Sequence, residues 1–373
     1  MTINEYHIFA GDITMEKVGK QSELLKKKIS EYKEKLTMAI KDCNQVYITT
    51  HLNEDYDAIA SIGAMSLICK RLKKAPYIVV DQKDYDGLSV EKSDMYEALK
   101  DKNFVIINLD DFKNNRVENS LLIVLDTNKG FMTPLKNNYD DFKNIILIDH
   151  HKTDDNTIKT KNKFIIPDMV SSTSEIMYWI LKQMKINPKD RLYNNFLLTG
   201  ILLDTNKKDK NMYPSTYLCI SDLDTPLKTD KDKVDMYFST DYESDRRVQD
   251  LVDEMEWITM RFGIAIDNGK VYSKEEVAKA ADYSLKYTSE AIITFGKAED
   301  GGYHVSARSN RGNMNIASIM GILNGGGGND YSASCDTLYV DAQTLSEEKE
   351  ELLGMVKKIL YLRSNEPKKN KGE

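Results

Sequence analysis

From residue 45 onward the chain repeats one pattern: a short aliphatic run, then apolar residues at helical spacing, then another aliphatic run. "QVYITT", "PYIVVD", "FVIIN", "SLLIVLD" and "NIILID" predict strands, with "AIASIGAMSLICKRLKK" and "SDMYEALKD" predicting helices between the first three. Near-continuous Val, Ile and Leu is what a strand needs when both of its faces are covered. The expected fold is therefore α/β, with a doubly wound and mainly parallel sheet.

Residues 20–42 place apolar residues at helical spacing among lysines and glutamates, which predicts a surface helix within a lead-in segment, 1–42. The sheet domain is expected over 43–222. Near its end "STSEIMYWILKQM" predicts a helix with Ser172 and Glu175 as a capping box, and a second apolar helix ends at "FLLTGILLDT". Residues 223–262 are so charged that they read as an exposed helical connector. A smaller α/β domain is expected over 263–364, from the strand-like runs "GIAI", "AIITFG" and "YHVSARS" and the helix-like "SKEEVAKAADYSLKY". The tail, 365–373, predicts disorder.

The 373 residues suit two domains, and 41% hydrophobic with 30% charged residues suits a globular protein with a substantial core. A formal net charge of -7 argues against affinity for duplex DNA, which needs a basic surface. Cys43, Cys69, Cys219 and Cys335 form no C-x-x-C pair and read as reduced residues. No apolar stretch approaches the roughly 18 residues of a membrane span, and the N-terminus has no signal-peptide layout. The expected location is cytoplasmic.

Four segments place aspartate or histidine where apolar runs stop: "HLNEDYD", "LLIVLDT", "ILIDHH" and "LLTGILLDT". Their candidate ligands are His51, Asp55, Asp57, Asp126, Asp149, His150, His151 and Asp204. Taken singly, an aspartate after a strand is most often a helix cap or a turn residue. Together the segments hold three of the chain's five histidines, while His7 and His304 stand apart and read as structural or solvated. If the strands are neighbours, the side chains converge on one sheet edge. Oxygen and imidazole donors without thiolate suit Mn²⁺ or Mg²⁺ rather than structural zinc. A shared carboxylate such as Asp126 could bridge two ions about 3.5–4 Å apart, a spacing that serves attack by hydroxide on a phosphoryl centre.

In this order the motifs resemble those of the DHH phosphoesterase superfamily: H-x-N-x-D-x-D-A-x-x-S at His51, D-T at Asp126, the triplet Asp149-His150-His151, and a fourth aspartate at Asp204. "HVSARSN" and "MNIASIMGILNGGGGND" resemble the DHH-associated C-terminal domain. "PDMVSSTSEIMYWIL", "LLTGILLDTNKK" and "AKAADYSLKYTSEAIITFG" are most similar to stand-alone bacterial cyclic di-AMP phosphodiesterases and the catalytic half of their membrane-anchored relatives.

The resemblance implies His51, Asp55 and Asp126 at one metal ion and Asp57, Asp126, His150 and Asp204 at a second, with Mn²⁺ expected and Mg²⁺ or Co²⁺ as alternatives. It implies His151 at the phosphate or the leaving oxygen, and Asp149 as orienter of an imidazole. Arg308, Ser309 and the loop Gly325, Gly326, Gly327, Gly328 and Asn329 would contact the nucleotide, with the active site in a cleft between domains. The implied reaction takes cyclic di-AMP to linear pApA, and then to AMP, in a stand-alone enzyme acting as a homodimer. One departure stands out: the family's glycine motif ends in histidine where this chain has Asn329. Short linear oligonucleotides, 3'-phosphoadenosine 5'-phosphate, or binding of a cyclic dinucleotide without cleavage stay open as alternatives.

Overall fold

The computed structural model describes residues 15–136, 139, 142–188, 190–208, 211–239, 242–288, 290–310, 316–328 and 331–364. His7, Asn329 and the tail 365–373 lie outside them. The chain divides into two compact units, residues 1–239 and 240–373.

The first unit runs α1 (Met15–Asp42), β1 (Gln45–Thr49), α2 (Tyr56–Arg71), β2 (Pro76–Val80), α3 (Gln82–Asp86), α4 (Val90–Asp101), β3 (Val105–Asn108), α5 (Leu109–Asn115), β4 (Ser120–Leu125), β5 (Asn144–Asp149), β6 (Asn162–Ile165), α6 (Thr173–Gln183), α7 (Arg191–Asp204), α8 (Pro214–Leu223) and α9 (Lys231–Tyr237). Among the described residues its six strands are all parallel, in the order β3-β2-β1-β4-β5-β6. The chain winds outward from β1 on one side and from β4 on the other, so the expected doubly wound sheet is present.

Burial on both faces follows the strand period of two. Val46 and Ile48 of β1, with Leu121, Ile123 and Leu125 of β4, enter the larger core. Tyr47, Leu122 and Val124 point into a second core on the opposite face. There Phe112 meets Tyr47 edge-on at 4.9 Å and stacks on Phe142 at 5.6 Å.

The lead-in helix belongs to this unit. Leu25, Ile29, Tyr32, Leu36 and Ile40 recur at three- and four-residue intervals on one face of α1 and are buried in the larger core. The charged stretch 223–262 divides. Val234 and Tyr237 anchor α9 in the first core, whereas α10 (Tyr242–Asp253) buries Val248, Leu251 and Val252 in the second unit. A few apolar residues at helical spacing suffice to bury one face of a helix whose remaining positions are charged.

The second unit continues with β7 (Met255–Trp257), β8 (Phe262–Val271), α11 (Lys274–Ser284), β9 (Ala291–Lys297), β10 (Tyr303–Ser309), α12 (Ile316–Asn324), β11 (Gly327–Gly328), β12 (Ser332–Leu338) and α13 (Leu345–Ser364). Its mixed sheet has the order β11-β12-β10-β9-β8-β7, with only β8 and β9 parallel. Phe262, Ile293, Phe295, Val305, Leu352 and Val356 form its core.

Candidate metal centre

The order 3-2-1-4-5-6 reverses between β1 and β4, and in such sheets ligands bind at the carboxyl ends of the strands flanking that point. His51 follows β1, Asp126 follows β4, and Asp149-His150-His151 closes β5. All three segments therefore reach one edge from three adjacent strands. Asp55 and Asp57 come from the start of α2. Asp204 arrives on the last residue of α7, a helix end rather than a strand end.

Asp126 is the centre of the group. Its Oδ2 lies 3.6 Å from His51 Nε2 and its Oδ1 lies 3.6 Å from His150 Nε2. The backbone there is left-handed, with φ +60°, a conformation aspartate tolerates better than most residues, and it turns the chain off the strand. His51 Nε2 is also 3.8 Å from Asp55 Oδ1, and His150 Nε2 is 3.1 Å from Asp204 Oδ2. The Nδ1 of His51 pairs with the Leu52 carbonyl at 2.8 Å, which turns Nε2 and its lone pair toward the carboxylates.

The structural roles considered for single aspartates are filled as well. Asp55 is the N-cap of α2, accepting from the Ala58 amide at 3.0 Å, and one carboxylate can do both. Asp57, fully buried, accepts from the amides of Thr173 and Ser174 at 2.8 and 2.7 Å, so the N-terminus of α6 fixes both of its oxygens. The Thr173 hydroxyl donates to Asp126 Oδ1 at 2.8 Å. Thr173 thus touches two of the candidate ligands.

Ser172 caps α6 as expected, accepting from the Glu175 amide at 3.0 Å. The reciprocal half of the capping box is not formed. Glu175 accepts instead from the amide and hydroxyl of Ser171, at 2.8 and 2.9 Å, and from the Thr216 hydroxyl at 2.6 Å, because α8 offers a buried donor that the local sequence does not reveal.

Beside the cluster, Asp149 accepts from His151 Nδ1 at 2.8 Å and from Asn128 Nδ2 at 2.6 Å. This fixes the His151 ring by one nitrogen and leaves the half-exposed ring's Nε2 for other work.

Charge is concentrated here to a degree that calls for cations. Burial, and then the charge of Asp204, pushes Asp57 up to about 7. Burial and the charge of Asp57 hold Asp126 well above the usual carboxylate range. Burial would lower His51, but its bonds to Asp126 and Asp55 outweigh that and raise it well above its ordinary value. Burial would likewise raise Asp55, yet pairing with His51 lowers it. Asp149 is lowered in the same way, by bonding to His151 against its own burial.

Among the described residues, three groups have donor atoms all within 4.8 Å of one another: His51, Asp55 and Asp126; Asp57, His150 and Asp204; and Asp126, His150 and His151. The oxygen and imidazole donors, the aimed Nε2 atoms and the surplus of buried negative charge fit divalent ions of the Mn²⁺ or Mg²⁺ type. No cysteine belongs to these groups. Cys43, Cys69 and Cys219 are in the core and Cys335 is in β12.

The sequence reading overlooked four residues. Thr173 and Ser174 were visible only as part of a capped helix start, and Asn128 only as a neighbour of "LDT". Gly200 gave no signal, yet a Cβ there would sit 2.3 Å from Ser174 Oγ and 3.0 Å from the Asp57 Cα. Only glycine lets α7 come that close to α2 and α6.

The expected substrate residues lie in the second unit. The Arg308 fork is engaged within that unit, donating from Nε and Nη2 to Asp282 at 2.7 and 3.2 Å and from Nη1 to Ser306 Oγ at 2.8 Å. Ser309 is buried in β10, with its amide on the Tyr331 carbonyl. The Gly325 and Gly326 amides close the end of α12 on Gly321 and Met320. Gly327 and Gly328 form the exposed edge strand β11. A Cβ at Gly326 would be 2.3 Å from the Ser334 carbonyl oxygen, so the hairpin itself demands glycine there. His304 is half-buried, with Nδ1 lacking a hydrogen-bond partner among the described residues, and burial and then Lys274 lower its pKa.

The chain is 26% identical over 328 residues to the cyclic-di-AMP phosphodiesterase PdeA of Listeria monocytogenes serotype 1/2a (strain 10403S), covering 85% of this chain and 48% of that protein. It is 25% identical over 289 residues to the membrane protein-large ribosomal subunit bL9 fusion protein of Aster yellows witches'-broom phytoplasma (strain AYWB), covering 75% of this chain and 33% of that one. The chain thus spans half or less of the length of these curated relatives. Among solved structures, an exopolyphosphatase-related protein from Bacteroides fragilis shares the fold at a TM-score of 0.65 and 18% identity, over 89% of this chain and 97% of that one. Residues 45–202, with the triplet Asp149-His150-His151 among them, match the DHH family, N-terminal domain.

Proposed function

We propose that the chain is a metal-dependent phosphodiesterase that hydrolyses cyclic di-AMP to linear pApA, and pApA onward to AMP. The observation that carries this reading is Asp126, one buried carboxylate whose two oxygens face two different histidines. The substrate assignment is supported by similarity to a relative named as a cyclic-di-AMP phosphodiesterase.

In this reading His51, Asp55 and Asp126 would hold one ion, and Asp57, Asp126, His150 and Asp204 another, with Mn²⁺ the proposed metal. Such ions, when bound, supply Lewis-acid polarisation of phosphoryl oxygens and acidify coordinated water. The side chains do the rest. The Asp126 carboxylate sets the spacing of the two halves, and Thr173 and Ser174 keep Asp126 and Asp57 from rotating. Water adds to phosphorus as the P–O3' bond breaks, and the departing oxygen needs a proton. His151, held through Nδ1 by Asp149, presents Nε2 for that transfer. Arg308, Ser309 and residues 325–329 are proposed as substrate contacts, which for Arg308 means exchanging Asp282 for phosphate. The proposed setting is a homodimer in the cytoplasm.

A second reading, as an enzyme of linear dinucleotides or of 3'-phosphoadenosine 5'-phosphate, is favoured by asparagine at 329, where the family motif carries histidine. One Mn²⁺-supplemented assay separates the two, with cyclic di-AMP, cyclic di-GMP, pApA and 3'-phosphoadenosine 5'-phosphate compared side by side. Cyclic di-AMP is expected to turn over fastest, and Asp126→Ala to lower the rate by about 10³-fold or more, since it removes a donor shared by both halves. Turnover of the linear substrates alone would replace the first reading by the second. Binding of cyclic di-AMP without turnover would make the chain a sensor.

A further inference from the structure

At the ends of α6 and α7 remote from the metal centre, the first unit holds a surface cavity of about 310 Å³. Leu181 and Lys182 lie eight and nine residues beyond Thr173, roughly 12–14 Å along α6, and Asn194 precedes Asp204 by ten residues, about 15 Å along α7. The cavity is therefore no part of the metal centre.

Its chemistry has two halves. Leu181, Leu197 and Leu223 give it a buried apolar floor. Lys182, Lys185 and Lys228 stand around the rim with Asp222, so three positive charges meet one negative charge in a chain whose net charge is -7. Asp222 Oδ2 is shared, accepting from Lys228 at 2.6 Å and from the Tyr178 hydroxyl at 2.6 Å, with Lys182 at 3.6 Å. Lys185 makes no side-chain bond to any described residue. Asn187 and Asn194 also line the cavity, Asn194 donating from Nδ2 to the Lys228 carbonyl at 3.2 Å and keeping its amide oxygen beside the floor.

A cavity of this volume, apolar at the bottom with a few converging polar groups, is the usual form of a small-molecule site. The surplus of lysine specifies an anion, which ammonium groups hold as point charges. We propose that this cavity binds a small organic phosphate with a flat apolar body, in the size class of a nucleoside monophosphate. The phosphate would sit among Lys182, Lys185 and Lys228, and the ring system on the leucine floor with its polar edge toward the asparagines. This site stands apart from the proposed hydrolysis, because none of its residues is a candidate metal ligand.

The test is isothermal titration calorimetry on the full chain with Mn²⁺ present, using AMP and inorganic phosphate as probes. AMP is expected to bind, and Lys185→Glu and Lys228→Ala each to weaken that binding at least tenfold with the melting temperature of Lys185→Glu unchanged. Inorganic phosphate is expected to bind at least tenfold more weakly than AMP. AMP affinity that is the same in Lys185→Glu as in the parent chain would place the ligand elsewhere and overturn the proposal, as would no AMP binding below millimolar concentration. Equal affinity for AMP and phosphate would overturn the ligand class, since the floor would then contribute nothing. Every outcome is read as binding, so failure of the chain to hydrolyse cyclic di-AMP leaves the test intact.

Discussion

The two units answer the same kind of sequence signal differently. In the first, eight scattered residues chosen for their chemistry come together, with Asp126 3.6 Å from both His51 and His150 and His150 3.1 Å from Asp204. In the second, Arg308, Ser309, Gly326 and Gly328, singled out as substrate contacts, already have structural occupations. Arg308 is spent on Asp282 and Ser306, and the glycine run is needed to bring β11 against β12. Carboxylates buried beside imidazoles have few uses besides charge chemistry, so their co-occurrence is informative. A glycine run has many uses, and a hairpin is one of them.

That contrast can be broken most forcefully at the glycines. Gly200→Ala should destabilise the first unit by about 1–3 kcal/mol, the usual range for overpacking, and displace Asp57 as well. Thermal melting with Mn²⁺ titration checks both effects. Gly326→Ala should cost a similar amount in the second unit without altering Mn²⁺ affinity, and an altered affinity would show that the two sets of residues are not independent.

A smaller effect is expected at Thr173. Thr173→Val keeps the shape and the amide bond to Asp57 but removes the hydroxyl that holds Asp126. Loss of such a supporting bond lowers metal affinity by about 10–100-fold. Direct Mn²⁺ titration is the readout, and Thr173→Ser should restore most of the loss.

The dependence on pH sharpens the electrostatic half. Asp57 and Asp126 have raised values in the folded chain, so above roughly pH 4 these two groups hold more protons in the folded state than in the unfolded one. The contribution of Asp57 to stability is present at low pH and is lost as pH rises through about 7. With chelator present, Asp57→Asn should therefore flatten the fall in melting temperature between pH 5 and 7.5. Mn²⁺ must displace those protons, so its affinity should climb over the same interval.

The smallest effect is expected at Gly327, where a Cβ would meet nothing within 4 Å. Gly327→Ala should change stability by less than about 0.5 kcal/mol. A pronounced rise in KM with unchanged melting temperature would then mark this edge as a substrate contact, which the hairpin alone does not explain.

Much of the fold could be read from pattern. The aliphatic runs from 45 to 149 became parallel strands because a strand covered on both faces needs apolar residues at nearly every position. The short strands β6 and β12, in "NKFI" and "SASCDTL", escaped because they alternate weakly and gain their pairing from neighbours. The charged stretch 223–262, read as an exposed helical connector, seats α9 and α10 through two or three apolar side chains each.

The sequence by itself determined which residues could carry the chemistry: imidazoles and carboxylates placed where apolar runs end, with no thiolate among them. Only the tertiary structure decided how they are held. That Asp126 stands between two histidines, that the amides of α6 grip Asp57, and that Gly200 permits the approach all join residues from about 25 to about 145 positions apart. Local composition encodes which donors are available, whereas their convergence depends on the sheet order and helix packing, which are properties of the whole unit.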